Sequence, residues 1–224
     1  AAVSAVLTVL GREAIAGPVP LHAIDARAAA SGKTLITDVV GLIATGRKPA
    51  RMPQATDEAE ERKRLLAIAM EGDPVVLIDN VNRPLGSGAL DAALTSGSIR
   101  DRVLGVNRTA TVPWRALVLA TGNNLQFRGD TARRVVPIDL DARVERPEER
   151  GGFKHDPLLP WLLEQRPRLA VAGLTLLRAY IVAGRPAQGL PRIGSFEEGS
   201  GLIRGALVWA GWADPAAGRA RVCA

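Results

Sequence analysis

The sequence predicts an α/β fold: a mainly parallel sheet flanked by helices, followed by an α-helical C-terminal region. Three observations predict it. Residues 19–26 form an apolar extended run that passes through a loop of small residues into a helically spaced segment. Further runs of apolar β-formers, VVLIDN, ALVLAT and VVPIDL, alternate with helical patterns, as in a parallel sheet covered on both faces. Beyond a charged, proline-containing stretch at 144–157, only helical periodicity remains.

Taken in order, AAVSAVLTVL at 1–10 lacks the basic flank and cleavage pattern of a leader, and is expected to be a helix packed on the core. Residues 19–26 make the first strand. After SGKT, the apolar positions Leu35, Ile36, Val39, Val40, Leu42 and Ile43 have helical spacing closed by Gly46. Thr56 is expected to cap a helix carrying Leu65, Leu66 and Ile68, which ends at Gly72. Val75 to Asn80 reads as a central strand that delivers a carboxylate to the C-terminal edge of the sheet. GALDAAL is a short helix, and the extended stretches on either side of residues 105–108 form a β-hairpin. Residues 116–121 and 135–140 complete the strands. PLLPWLLEQ, RLAVAGLTLLRAYIVAG and GLIRGALVWAGW are helical, which divides the chain into a core at 1–145 and an α-helical lid region at 146–224.

With 224 residues, 47% of them hydrophobic, the chain can bury a sizeable core. No apolar run reaches the ~18 residues a membrane helix requires, so no membrane partner is expected. The single cysteine, Cys223, excludes an intrachain disulfide and a thiolate zinc cluster, and fits a reducing cytoplasm. The net charge of +6 favours an anionic partner such as nucleic acid. Lys33, Lys48, Lys63 and Lys154 are the only lysines, and an arginine bias also follows from a GC-rich coding sequence.

The strand–loop–helix context makes SGKT the phosphate-binding turn of a P-loop. In such a turn backbone N–H groups and the helix N-terminus hold phosphates, a lysine reaches the β/γ oxygens, and a hydroxyl serves magnesium. The cofactors expected are therefore ATP and Mg2+, on a loop of Ala29, Ala30, Ser31, Gly32, Lys33, Thr34 and Leu35. Lys33 is the phosphate lysine, Thr34 a metal ligand, and Asp79 the strand-end carboxylate that holds magnesium through water. Asn123 is suited to orient the attacking water or touch the γ-phosphate; Asn124 fits that role less well. Arg133 or Arg134 can neutralise transition-state charge across a subunit boundary, or pair with Asp130. Two features depart from the full pattern. Arg27 and Ala30 stand at positions usually held by glycine, and Asn80 follows Asp79 where many ATPases place a glutamate base. Hydrolysis then relies on Asp79 or another carboxylate such as Asp91, is slow, or gives way to a nucleotide-controlled switch.

SGKT, VVLIDN, the hairpin, ATGNN and GDTARRV, in that order, resemble the AAA+ ATPase domains found with primase or helicase modules in phages, plasmids and integrated elements, which look related to superfamily three helicases. The resemblance extends through RPEER and the helical tail. It implies a ring-forming, ATP-dependent DNA helicase or translocase with Lys33, Thr34, Asp79 and Asn123 in one subunit and Arg133 or Arg134 reaching a neighbour. It also implies a pore hairpin whose Arg102 and Arg108 contact single-stranded DNA, a homo-oligomeric ring, and a primase or replication initiator as partner. The alternatives are a nucleotide-switched DNA-binding module with little hydrolysis, and a protein-remodelling ATPase. His22 is expected to be a satisfied core or edge histidine, unconnected to His155, and Trp161, Trp209 and Trp212 to pack the lid.

Overall fold

The computed structural model describes residues 1–28, 30–103, 105, 107–142, 144 and 146–222. Ala29 and Cys223 lie outside the described residues.

Helix α1 (Ala2–Leu10) precedes β1 (Leu21–Ala26), and the loop after β1 opens into α2 (Lys33–Thr45). Gly46 ends α2 in the left-handed region at φ 79°, its N–H returned to Leu42 O, which is the stop its position predicts. Next come β2 (Ala50–Pro53), α3 (Glu58–Glu71), β3 (Val75–Val81) and α4 (Gly88–Ser96). The hairpin is β4 (Ser98–Arg102) with β5 (Thr109–Pro113), antiparallel and separate from the main sheet. Then follow β6 (Leu117–Asn123), β7 (Val135–Leu140), α5 (Leu158–Val182) and α6 (Glu197–Trp209).

The main sheet is parallel, in the order β2-β3-β6-β1-β7. Period-two alternation divides its apolar runs between two cores. Ile24, Leu77, Leu117 and Leu119 pack with Leu7, Leu177, Leu202 and Ile203 on one side. Val76, Ile78, Val118 and Ala120 pack with Leu65, Leu90, Leu94 and Trp114 on the other. Leu77 and Leu119 are fully enclosed, and each leucine so buried contributes about 1.5–3 kcal/mol relative to an exposed one.

Three elements differ from the sequence expectation. Strand β2, unforeseen, is a short edge strand: Arg51 and the terminal Pro53 disguise it, yet both suit an edge. The cap of α3 is Asp57, whose Oδ1 accepts from Glu60 N at 2.9 Å, while Thr56 donates its hydroxyl to Asp57 Oδ2 at 3.1 Å. A carboxylate beats a hydroxyl there because it also complements the helix dipole. Helix α5 runs unbroken through Pro167, where the sequence suggests two pieces. Its contacts with α1, α2 and α6, and the Arg166 Nε bond to Leu42 O at 3.1 Å, hold together what the proline would interrupt.

Candidate nucleotide site

The strand order sets the location. From β1 the chain leaves for the β2 side of the sheet, and the β6–β7 connection later crosses to the other side. Ligands of open parallel sheets bind beyond the carboxyl ends of strands at such a switch point. Here that place is the loop between β1 and α2.

Gly32 takes φ 88° at the N-cap of α2, a conformation that glycine adopts freely. Ala30 also lies in the left-handed region, at φ 53°, where a Cβ costs roughly 1–2 kcal/mol. The loop therefore forms without its missing glycine, at the expense of local strain. The Lys33 ammonium uses its three donors on Asn123 Oδ1 at 2.6 Å, Ala28 O at 3.2 Å and Ser31 Oγ at 3.2 Å. Partial burial lowers the Lys33 pKa from its ordinary value, and the Asp25 carboxylate opposes the shift. Thr34 is half-buried in the first turn of α2, beside exposed Leu35.

Asp79, at the end of β3, accepts the Thr121 hydroxyl at 2.6 Å, and Thr121 Oγ1 in turn accepts the Asn80 N–H at 3.1 Å. The β3–β6 register shifts between Ile78 and Val81, and Asn80 has φ 54°, so β3 bulges at its two polar residues. Strand β6 thus joins both halves of the site: Thr121 holds Asp79, and Asn123, two residues on, meets Lys33. Gly122 separates them because a side chain there would meet Val81 O at 2.7 Å. Asn124 instead lines a cavity of about 820 Å³ beside the loop, with Asp25, Arg27, Ser31, Asp139 and Arg221.

The two arginines part company in the turn Gly129–Arg134. Arg133 is 65% exposed and pairs with Asp130 at 2.6 Å. Arg134 is 11% exposed and turned inward to Asp91 on α4 at 2.5 Å, with Asp130 at 3.4 Å. Thr131 also donates to Asp91 Oδ1, at 2.7 Å. Asp91 is thereby engaged as a structural partner, and of the two arginines Arg133 is the exposed one. On the hairpin, Arg102 and Arg108 are both exposed; Arg102 Nη2 bonds Asn107 Oδ1 at 2.8 Å, and Val103 N bonds Arg108 O at 2.9 Å. Asp101 ties the hairpin to α3 through Arg62 at 2.9 Å.

Thr121 is the site residue that sequence reasoning missed. Its signal was available: it stands two positions before Asn123 on a strand, hence on the same face. Of the tryptophans expected to pack the lid, Trp161 and Trp209 find ring partners, whereas Trp212 is 54% exposed, because it lies past the end of α6 and not on its buried face. His155 stacks on Trp161 with ring centroids 3.6 Å apart, Trp209 lies against Tyr180, and His22 is buried. Among the described residues no group of three His, Cys, Asp or Glu could hold a metal. A single strand carboxylate and a helix-start threonine suit an ion held mainly by water and phosphate, which is how magnesium is usually bound.

The sheet, the loop between β1 and α2, and the strand-end carboxylate define the class: an α/β domain of P-loop NTPase architecture. No protein-family model matches the chain, and no curated protein matches it. Among solved structures it is similar to the C-terminal region of NrS-1, with 11% identity and a TM-score of 0.53 over 75% of this chain and 38% of that one. Weaker likenesses are to a JCV helicase (16% identity, TM-score 0.41, 99% and 58% of the two chains) and to the active helicase Cch of SCCmec type IV (13%, 0.44, 91% and 40%). At these identities the likeness is one of fold. The chain spans 38% of the NrS-1 region's length. No helix among the described residues is long and apolar enough to cross a membrane.

Proposed function

We propose that this chain is an ATP-binding, AAA+-like ATPase module that acts on DNA as a helicase or translocase within a phage or mobile-element replication protein. The observation that carries the reading is the 2.6 Å contact between Lys33 Nζ and Asn123 Oδ1, with Asp79 tied to the same strand at the carboxyl edge of the sheet. The loop N–H groups and Lys33 bind the β- and γ-phosphates, so the ammonium exchanges neutral acceptors for anionic oxygens. Thr34 and Asp79 would hold magnesium, which supplies charge neutralisation on the phosphates. Asn123 orients the attacking water. Arg133, released from Asp130, reaches the nucleotide of a neighbouring subunit in a ring, and residues 146–224 act as its helical lid. The hairpin offers Arg102 and Arg108 to single-stranded DNA.

The test is magnesium-dependent ATP turnover, with and without single-stranded DNA, for the wild-type chain and Lys33→Ala. Turnover stimulated by DNA and reduced about 100-fold or more in the variant is expected, on the scale of losing a principal electrostatic contact. Equal, DNA-independent turnover in both proteins refutes the reading. A second reading, a nucleotide switch with little hydrolysis, is favoured by Asn80 after Asp79 and by the engagement of Asp91 with Arg134 and Thr131. Tight ATP binding without phosphate release, with or without DNA, would identify it.

A further inference from the structure

We propose that Thr121 is a positioning residue of this site, its hydroxyl fixing the Asp79 carboxylate so that the second carboxylate oxygen stays turned to the hydration shell of a phosphate-bound divalent cation. The inference rests on the hydrolytic reading above. Thr121 is 1% exposed, and its hydroxyl works in both directions, donating to Asp79 Oδ1 at 2.6 Å and accepting from Asn80 N at 3.1 Å. The need for it arises from the backbone. Paired strands normally fix where a strand-end side chain points, but β3 leaves its ladder with β6 between Ile78 and Val81, with Asn80 at φ 54°. Asp79 sits in that gap. The Thr121 hydroxyl replaces the lost ladder contact, spanning the bulge from carboxylate to backbone N–H.

A carboxylate turns about a broad torsion unless something occupies one oxygen. Thr121 occupies Oδ1 and leaves Oδ2 for water. Because Thr121 and Asn123 share one face of β6, the same strand sets the acid and the acceptor of the Lys33 ammonium. A shift of β6 would therefore move both.

The experiment measures ATP turnover against Mg2+ concentration for the wild type, Thr121→Val and Thr121→Ser, beside binding of a fluorescent ATP analogue in EDTA and thermal melting. Valine keeps the shape and removes the hydroxyl; serine keeps the hydroxyl. In Thr121→Val, turnover should fall about 10- to 100-fold and the Mg2+ midpoint should rise, the range seen when partners of metal ligands are lost. Metal-free analogue binding should stay unchanged, and Thr121→Ser should behave as wild type. If Thr121→Val matches an active wild type in turnover and Mg2+ midpoint, the inference fails alone. It also fails if Thr121→Ser is as impaired as Thr121→Val, or if metal-free binding falls as far as turnover, because either marks a role in packing. A wild type without Mg2+-dependent turnover overturns the hydrolytic reading and this inference together. Should Thr121→Val not fold, Thr121→Ala against Thr121→Ser makes the same comparison.

Discussion

His22 lies on β1 with its ring enclosed, and burial decides its protonation. Ser4 gives its single proton to Ala1 O at 2.5 Å, so Ser4 Oγ accepts from His22 Nε2 at 2.9 Å. Burial lowers the His22 pKa to about 4. In the unfolded chain an ordinary histidine binds its proton near pH 6.5. Between these values the unfolded state holds one more proton, so the contribution is complete above pH 6.5 and is lost as the pH falls towards 4, by about 3 kcal/mol. Urea unfolding of the wild type should lose stability about 1.4 kcal/mol per pH unit faster than His22→Gln between pH 6.5 and 4.5, and equal slopes would refute the assignment. Sequence predicts a satisfied core or edge histidine; the ring is in the core, but among the described residues only Nε2 has a hydrogen-bond partner, Ser4 from a helix whose packing only the fold reveals, and Nδ1 is buried without one. The positions of Lys33, Asp79 and Asn123 are legible for the opposite reason: strand–loop–helix patterning puts Lys33 at a helix start and Asp79 and Asn123 at the carboxyl edge of the sheet. Thr121 and the Arg134–Asp91 pair are hidden because a threonine on a strand and an arginine beside an aspartate have many ordinary uses.

At the scale of elements, periodicity locates helices and buried strands well because both are defined by which face is apolar. It fails at β2, which has little apolar content to alternate, and at Pro167, where tertiary contacts override a local breaker. The C-terminal elements are joined by a polar clasp of the same kind. Arg204 of α6, 6% exposed at its side chain, binds Asp214 through two nitrogens at 2.8 and 2.6 Å, and also Pro191 O and Ser200 Oγ at 2.8 Å each. Burial raises the Asp214 pKa, but Arg204 and the Ala216 N–H outweigh it and hold the group below its ordinary value. Arg204→Met should cost about 3–5 kcal/mol in chemical denaturation, because it strands a partly buried carboxylate. Arg204→Met with Asp214→Leu should recover much of that loss. A single variant as stable as the wild type would mean that the clasp is dispensable.

For the whole molecule, the excess of 29 basic over 23 acidic side chains matters through its placement. Arg102 and Arg108 stand exposed on a hairpin outside the main sheet. If that hairpin carries DNA contacts, Arg102→Ala with Arg108→Ala should reduce the salt dependence of single-stranded DNA binding, lowering the slope of log K against log salt by about 1.4. An unchanged slope would move the DNA surface elsewhere. A different consequence follows from the position of β6. It is flanked on both edges, by β3 and β1, and buried on both faces from Leu117 to Gly122. Its amides belong to the part of a protein that exchanges hydrogen only when the whole structure opens. Thr121 therefore cannot loosen while the rest stays intact, so heat or denaturant should extinguish the Thr121–Asp79 contact and the fold in a single event.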